Sequence, residues 1–129
     1  MTRPRVLVLD DNPAFVRTME MMAAQSGLAM SATDDPDRFT DLLDGEDVAA
    51  AIVDCMLGDR NGLSILSEIG TKRPDLPTLV VSGFGDGFLC QAEQIGRSHG
   101  LTQLSTLAKP FGIADLRGFL ANARTDRAA

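Results

Sequence analysis

Five short apolar runs recur along the chain, and each is followed by a segment with helical periodicity. The runs cover residues 5–10 (RVLVLD), 28–32 (LAMSA), 48–54 (VAAAIVD), 77–82 (PTLVVS) and 104–109 (LSTLAK). Nearly continuous apolar sequence of this length suits strands buried on both faces of a parallel sheet. Strict alternation of such runs with helices predicts an open, doubly wound α/β sheet of five parallel strands with helices on both faces.

The helical segments carry their own start and stop signals. Asn12 reads as an N-cap with Pro13 at the first helical position, and Phe15, Met19, Met22 and Ala23 share one face before Gly27 ends the helix. Asp35 and Pro36 repeat the N-terminal signal ahead of Phe39, Leu42 and Leu43. Leu63, Ile65, Leu66 and Ile69 mark a third helix ending before Pro74. Residues 86–99 form a fourth, with Phe88 or Leu89, Ala92 and Ile95 facing inward, although its glycines weaken it. Ile113, Leu116, Phe119 and Leu120 line the fifth. With 129 residues and no Gly/Ser/Pro-rich linker, one domain over residues 1–124 is expected, followed by a short polar tail at 125–129. Five strand–helix units use that length, leaving no room within it for a separate output domain.

In sheets of this class the site lies beyond the carboxyl ends of the strands. Here those ends supply Asp10 and Asp11, then Asp54, then Ser82 with Gly83, then Lys109 with Pro110. Three converging carboxylates repel unless a cation intervenes. Oxygen donors suit Mg²⁺, and the lack of a thiolate or imidazole cluster argues against zinc. A carboxylate beside Mg²⁺ and a lysine is equipped to attack a phosphoryl group and form an acyl phosphate, with Lys109 and the Ser82 hydroxyl neutralising the transferred oxygens.

Composition narrows the alternatives. Eighteen acids against twelve bases give a net charge of −6, which disfavours a non-specific nucleic-acid binder. No apolar run approaches the roughly 20 residues of a membrane span, and the apolar stretch near the N-terminus is too short for a signal peptide. A cytoplasmic protein is therefore expected. Cys55 and Cys90 read as free thiols, the former beside Asp54 and inert when buried. His99 reads as a helix C-terminal residue favoured by the dipole. Gly83, Gly85 and Gly87 read as a flexible loop rather than a phosphate-binding glycine motif.

Four segments together resemble the receiver domain of bacterial response regulators, the CheY-like variant of the flavodoxin-like fold. They are VLVLDDN (residues 6–12), AIVDCMLGDRNGL (51–63), LVVSG (79–83) and LAKPF (107–111). The resemblance implies a single-domain response regulator of two-component signal transduction, a phosphoprotein rather than a conventional enzyme. Asp54 would be the phosphoacceptor. Asp10 and Asp11 would hold Mg²⁺ with Asp54, helped by the backbone carbonyl of Met56. Ser82 would be the switch hydroxyl, and Lys109 would pair with the acceptor and then with the phosphoryl group. Gly83 would leave the acceptor accessible, and a cis bond before Pro110 would aim Lys109 into the site. The implied partners are a histidine kinase or histidine phosphotransfer protein and a downstream protein of unknown identity, with no nucleic acid and no membrane.

Two positions depart from the family pattern. Thr106 stands where an aromatic switch residue is usual, three residues before the lysine, and Gly58 stands where proline is common. Thr106 motivates one rival reading, an interaction module that signals without phosphate. A Mg²⁺-dependent phosphohydrolase is a second rival, disfavoured because Met56 occupies the place of a second acid two residues after Asp54. A flavodoxin-like cofactor carrier is disfavoured by the absence of Trp and Tyr.

Overall fold

Parallel pairing of the apolar runs builds a single five-stranded sheet in a computed structural model. The structure describes residues 3–54, 56–57, 60–61, 64–83, 86–109 and 112–128, with side chains described for 3–54, 64–83, 90–109 and 112–123. In chain order the elements are β1 (Arg5–Leu9), α1 (Pro13–Gln25), β2 (Ala29–Thr33), α2 (Pro36–Leu42), β3 (Val48–Asp54), β4 (Met56–Leu57), β5 (Arg60–Asn61), α3 (Ser64–Lys72), β6 (Thr78–Ser82), α4 (Asp86–Ser98), β7 (Leu104–Ala108) and α5 (Ile113–Ala128). The sheet order is β2-β1-β3-β6-β7, with all four neighbouring pairs parallel. The winding direction reverses between β1 and β3, so the crevice of a doubly wound sheet opens where those two strands end.

Alternation along the strands divides the core into two layers. Leu7, Leu9, Ala51, Val53 and Val80 face Phe39, Leu43, Ile65, Leu66, Ile69 and Ala92 from α2, the turn after it, α3 and α4. Val6, Val8, Ala50, Ile52, Leu79 and Val81 face Met19, Met22, Ala23, Leu116, Leu120 and Ala123 from α1 and α5. All seven residues of β3 are buried, as a central strand covered on both sides requires.

The helix starts follow the expected chemistry. The Asn12 side chain accepts from the N–H groups of Ala14 and Phe15, and Asp35 accepts from that of Asp37. Gly27 sits at φ 78°, a left-handed conformation that glycine adopts without a Cβ penalty, and so turns the chain from α1 into β2.

β1 stops one residue early, at Leu9, β6 starts one residue late, at Thr78, and four further details differ from the sequence expectation. β2 is shifted by one residue, to Ala29–Thr33. β7 stops at Ala108, which leaves Lys109 in the loop beyond it. A small antiparallel hairpin, β4 with β5, follows Asp54 and pairs Met56 with Asn61 and Leu57 with Arg60. Two-residue strands carry no detectable periodicity, so the pattern of apolar residues could not announce them. α5 continues to Ala128 rather than giving way to a frayed tail after residue 124, because nothing in 125–128 (TDRA) breaks a helix. The expectations for Cys55, Gly58, Leu63, Gly85 and Pro110 lie outside the described residues, as do those for the side chains of Phe88 and Leu89. No helix among the described residues is long and apolar enough to cross a membrane.

Candidate functional site

The ends of β1 and β3 bring Asp10 and Asp54 side by side. Asp10 lies one residue past β1, where its N–H donates to the Thr33 carbonyl at 3.1 Å and extends the ladder with β2. Asp54 is the last residue of β3. Both are buried, whereas Asp11 is exposed. One carboxylate oxygen from each of Asp10, Asp11 and Asp54 can be chosen so that all lie within 4.8 Å of one another.

Lys109 reaches this group from the far side of the sheet. Its backbone N–H donates to the Ser82 carbonyl at 2.8 Å, which ties the loop after β7 to the end of β6. Its Nζ donates to Asp54 Oδ2 at 3.2 Å and lies 3.5 Å from Asp10 Oδ2. The same Nζ sits over the ring of Phe15, 4.4 Å from its centroid. The sequence reading placed Phe15 on the apolar face of α1 and not at the site. Its position in the first turn of a helix that starts just after Asp11 was the available signal.

The two oxygens of Asp10 are treated differently. Oδ1 accepts from the Asn12 N–H at 2.8 Å. Oδ2 is fully buried and has no hydrogen-bond partner among the described residues, with the Lys109 ammonium at an ion-pair distance of 3.5 Å. Burial raises the Asp10 carboxyl above its ordinary value, and the Asp54 carboxylate pushes the same way. The Asn12 N–H and Lys109 only partly offset this. A buried anionic oxygen without a hydrogen bond, beside two further carboxylates, fits a hard divalent cation with oxygen ligands.

The remaining expected residues fall around this centre. Ser82 is fully buried at the end of β6, in register with Ala108. Gly83 is exposed, and a Cβ there would meet open space. Thr106 is half-buried on β7, opposite Val80. Met56 opens the hairpin two residues after Asp54. His99 is exposed just beyond α4, and Cys90 is exposed on it. A cavity of about 400 Å³ between Lys72, Arg73, Pro77 and Gln103 lies at the opposite end of the strands.

A parallel sheet wound in this order, with carboxylates and a lysine gathered at its switch point, is the architecture of a CheY-like signalling domain. Residues 6–121 match the response regulator receiver domain family, and the chain belongs to it. The regulatory protein VirG of Rhizobium rhizogenes is 33% identical over 119 residues, which cover 92% of this chain and 46% of VirG. The transcriptional regulatory protein FixJ of Bradyrhizobium diazoefficiens is 24% identical over 85 residues, 66% of this chain and 42% of FixJ. The chain thus spans less than half the length of these curated relatives. A CheY-like receiver domain protein from Methanospirillum hungatei superposes with a TM-score of 0.80 at 17% identity, covering 98% of both chains, which is a likeness of fold. Receiver domains of two-component response regulators are in general non-enzymatic signalling modules that bind Mg²⁺ at an acidic pocket.

Proposed function

We propose that the chain accepts a phosphoryl group on Asp54 from a histidine kinase or histidine phosphotransfer protein and signals through contacts with another protein. The single observation that carries this reading is the Lys109 ammonium bridging Asp54 Oδ2 and Asp10 Oδ2 at 3.2 and 3.5 Å. In the transfer, an Asp54 carboxylate oxygen attacks phosphorus and the P–N bond to the donor imidazole breaks. The imidazole keeps that electron pair and takes up a proton, and the product is an acyl phosphate.

Asp10, Asp11 and Asp54, with the Met56 carbonyl, are the proposed ligands of Mg²⁺. When bound, the ion neutralises charge on the phosphoryl oxygens. Lys109 balances the remaining charge from the other side and exchanges its carboxylate contact for a phosphoryl oxygen. The Ser82 hydroxyl donates to a second phosphoryl oxygen. Gly83 leaves the acceptor open to the donor.

The added charge draws Ser82 and Lys109 inward and alters the surface formed by α4, β7 and α5. Thr106 lies on that surface in place of an aromatic, so the readout follows loop and helix position rather than rotation of a ring. We further propose that residues 1–124 form the receiver domain, that it works in the cytoplasm, and that the chain acts as a single-domain regulator. The net charge of −6 supports an output through protein rather than nucleic acid. Immunoblotting of the native polypeptide at the mass of this chain, and not of a longer one, tests the single-domain form.

The phosphoacceptor reading is tested by incubating the protein with Mg²⁺ and phosphoramidate and weighing it intact. The wild type gains one phosphoryl group, and neither the Asp54→Asn variant nor a chelator-treated sample does. No gain in the wild type refutes phosphate acceptance and favours an interaction module that works without it. A gain that survives in Asp54→Asn refutes the site. Repeated turnover of a small phosphate ester would instead indicate a phosphohydrolase.

A further inference from the structure

We propose that Phe15 is a positioning residue for Lys109: its ring face holds the ammonium against Asp54 and Asp10 and so sets the rate at which Asp54 takes up phosphate. This inference rests on the phosphoacceptor reading and adds a residue to it. The Lys109 Nζ faces Asp54 Oδ2 at 3.2 Å, Asp10 Oδ2 at 3.5 Å and the Phe15 ring centroid at 4.4 Å. The π face of a ring carries negative charge density, so it attracts an ammonium without fixing the direction of any N–H. The N–H groups stay free to turn toward the carboxylates and then toward a phosphoryl oxygen.

One turn of chain sets both the ring and the carboxylate. Asn12 donates its N–H to Asp10 Oδ1 at 2.8 Å, and its side-chain oxygen accepts from the Phe15 N–H at 3.2 Å. Asp10, Asn12 and Phe15 are therefore linked by consecutive hydrogen bonds, and Lys109 closes the loop from the opposite end of the sheet. Phe15 is also partly buried against the layer formed with α1 and α5, which limits the motion of its ring. A side chain of equal bulk without a π system would fill the space and leave the ammonium without its third neighbour.

The test replaces Phe15 by phenylalanines carrying one, two and three ring fluorines, which leave size nearly unchanged and weaken the negative face stepwise. The rate of phosphorylation by phosphoramidate with Mg²⁺, followed by intact mass, falls stepwise by about fivefold in total. Phe15→Leu shows a similar loss, and Phe15→Trp restores the rate. In the unphosphorylated wild type, the Lys109 ε-methylene protons are shifted upfield by the ring, and Phe15→Leu abolishes that shift. A rate that stays flat across the fluorinated series, with phosphorylation otherwise normal, overturns the positioning role and leaves Phe15 as packing alone. An unshifted Lys109 signal in the wild type overturns it as well. A wild type that takes up no phosphate, with the ring shift present, refutes the phosphoacceptor reading and with it the role assigned to the contact.

Discussion

Asp10→Asn is expected to make the protein more stable in the absence of divalent cations, although it removes half of an ion pair. Asparagine keeps the size of the side chain and an oxygen for the Asn12 N–H. What it removes is a buried negative charge. Lys109 at 3.5 Å attracts that charge, and the Asp54 carboxylate, within 4.8 Å, repels it. At the effective dielectric of a protein each interaction is about 4 kcal/mol at 4 Å, so the two largely cancel. The loss of hydration at Oδ2, which has no hydrogen bond, then decides the balance, and it disfavours the charge. The variant should gain about 1–2 kcal/mol at neutral pH. The assay is urea unfolding followed by far-UV circular dichroism, since the chain has no Trp or Tyr for fluorescence.

The pH dependence has a definite sign. Folding raises the Asp10 carboxyl above 3.8, so over that window the native state binds more protons than the unfolded state. The wild type is therefore stabilised as pH falls through the raised value, and the gap to Asp10→Asn closes toward pH 3.8. Mg²⁺ reverses the ranking at neutral pH, because only the wild type retains the full set of carboxylates. A hundredfold excess over the dissociation constant is worth about 2.7 kcal/mol. A variant less stable than the wild type without cation, or a gap that persists unchanged in acid, would refute the reasoning.

Lys109→Met should slow phosphorylation by phosphoramidate about a hundredfold, read by intact mass, since it removes the cation opposite the metal. Arg73→Met should cost about 2 kcal/mol in urea unfolding and leave phosphorylation within twofold. Its guanidinium donates to the carbonyls of Leu43, Gly45 and Val48 at 3.0–3.3 Å, far from the acidic site. Gly70→Ala should cost about 2 kcal/mol in the same assay, because the new Cβ would be driven into the backbone carbonyl of His99, which cannot swing away.

Much of the site was legible before the fold was seen. Apolar runs ending in acids mark buried parallel strands, and the doubly wound rule then brings their carboxyl ends to one edge. That logic reached Asp10, Asp54, Ser82 and Lys109 without any contact being known. It missed Phe15, whose place in an apolar stripe looked the same as that of Met19, although Met19 is buried and Phe15 lies at the rim. It missed Arg73, because a guanidinium capping three carbonyls on other elements leaves no local pattern. It missed β4 and β5, which are too short to show a period.

The succession of strands and helices along the chain, the buried runs and the helix faces follow from the amino-acid sequence by itself, because each is written in local periodicity and in the chemistry of helix ends. Long-range geometry was decided only by the tertiary structure. That Lys109 spans Asp54 and Asp10, that one oxygen of Asp10 is buried without a hydrogen bond, and that Phe15 meets the ammonium all depend on distances between residues tens of positions apart. Those distances are set by how β1, β3 and β7 pack into one sheet, and electrostatic energy changes steeply over the few ångströms that packing decides.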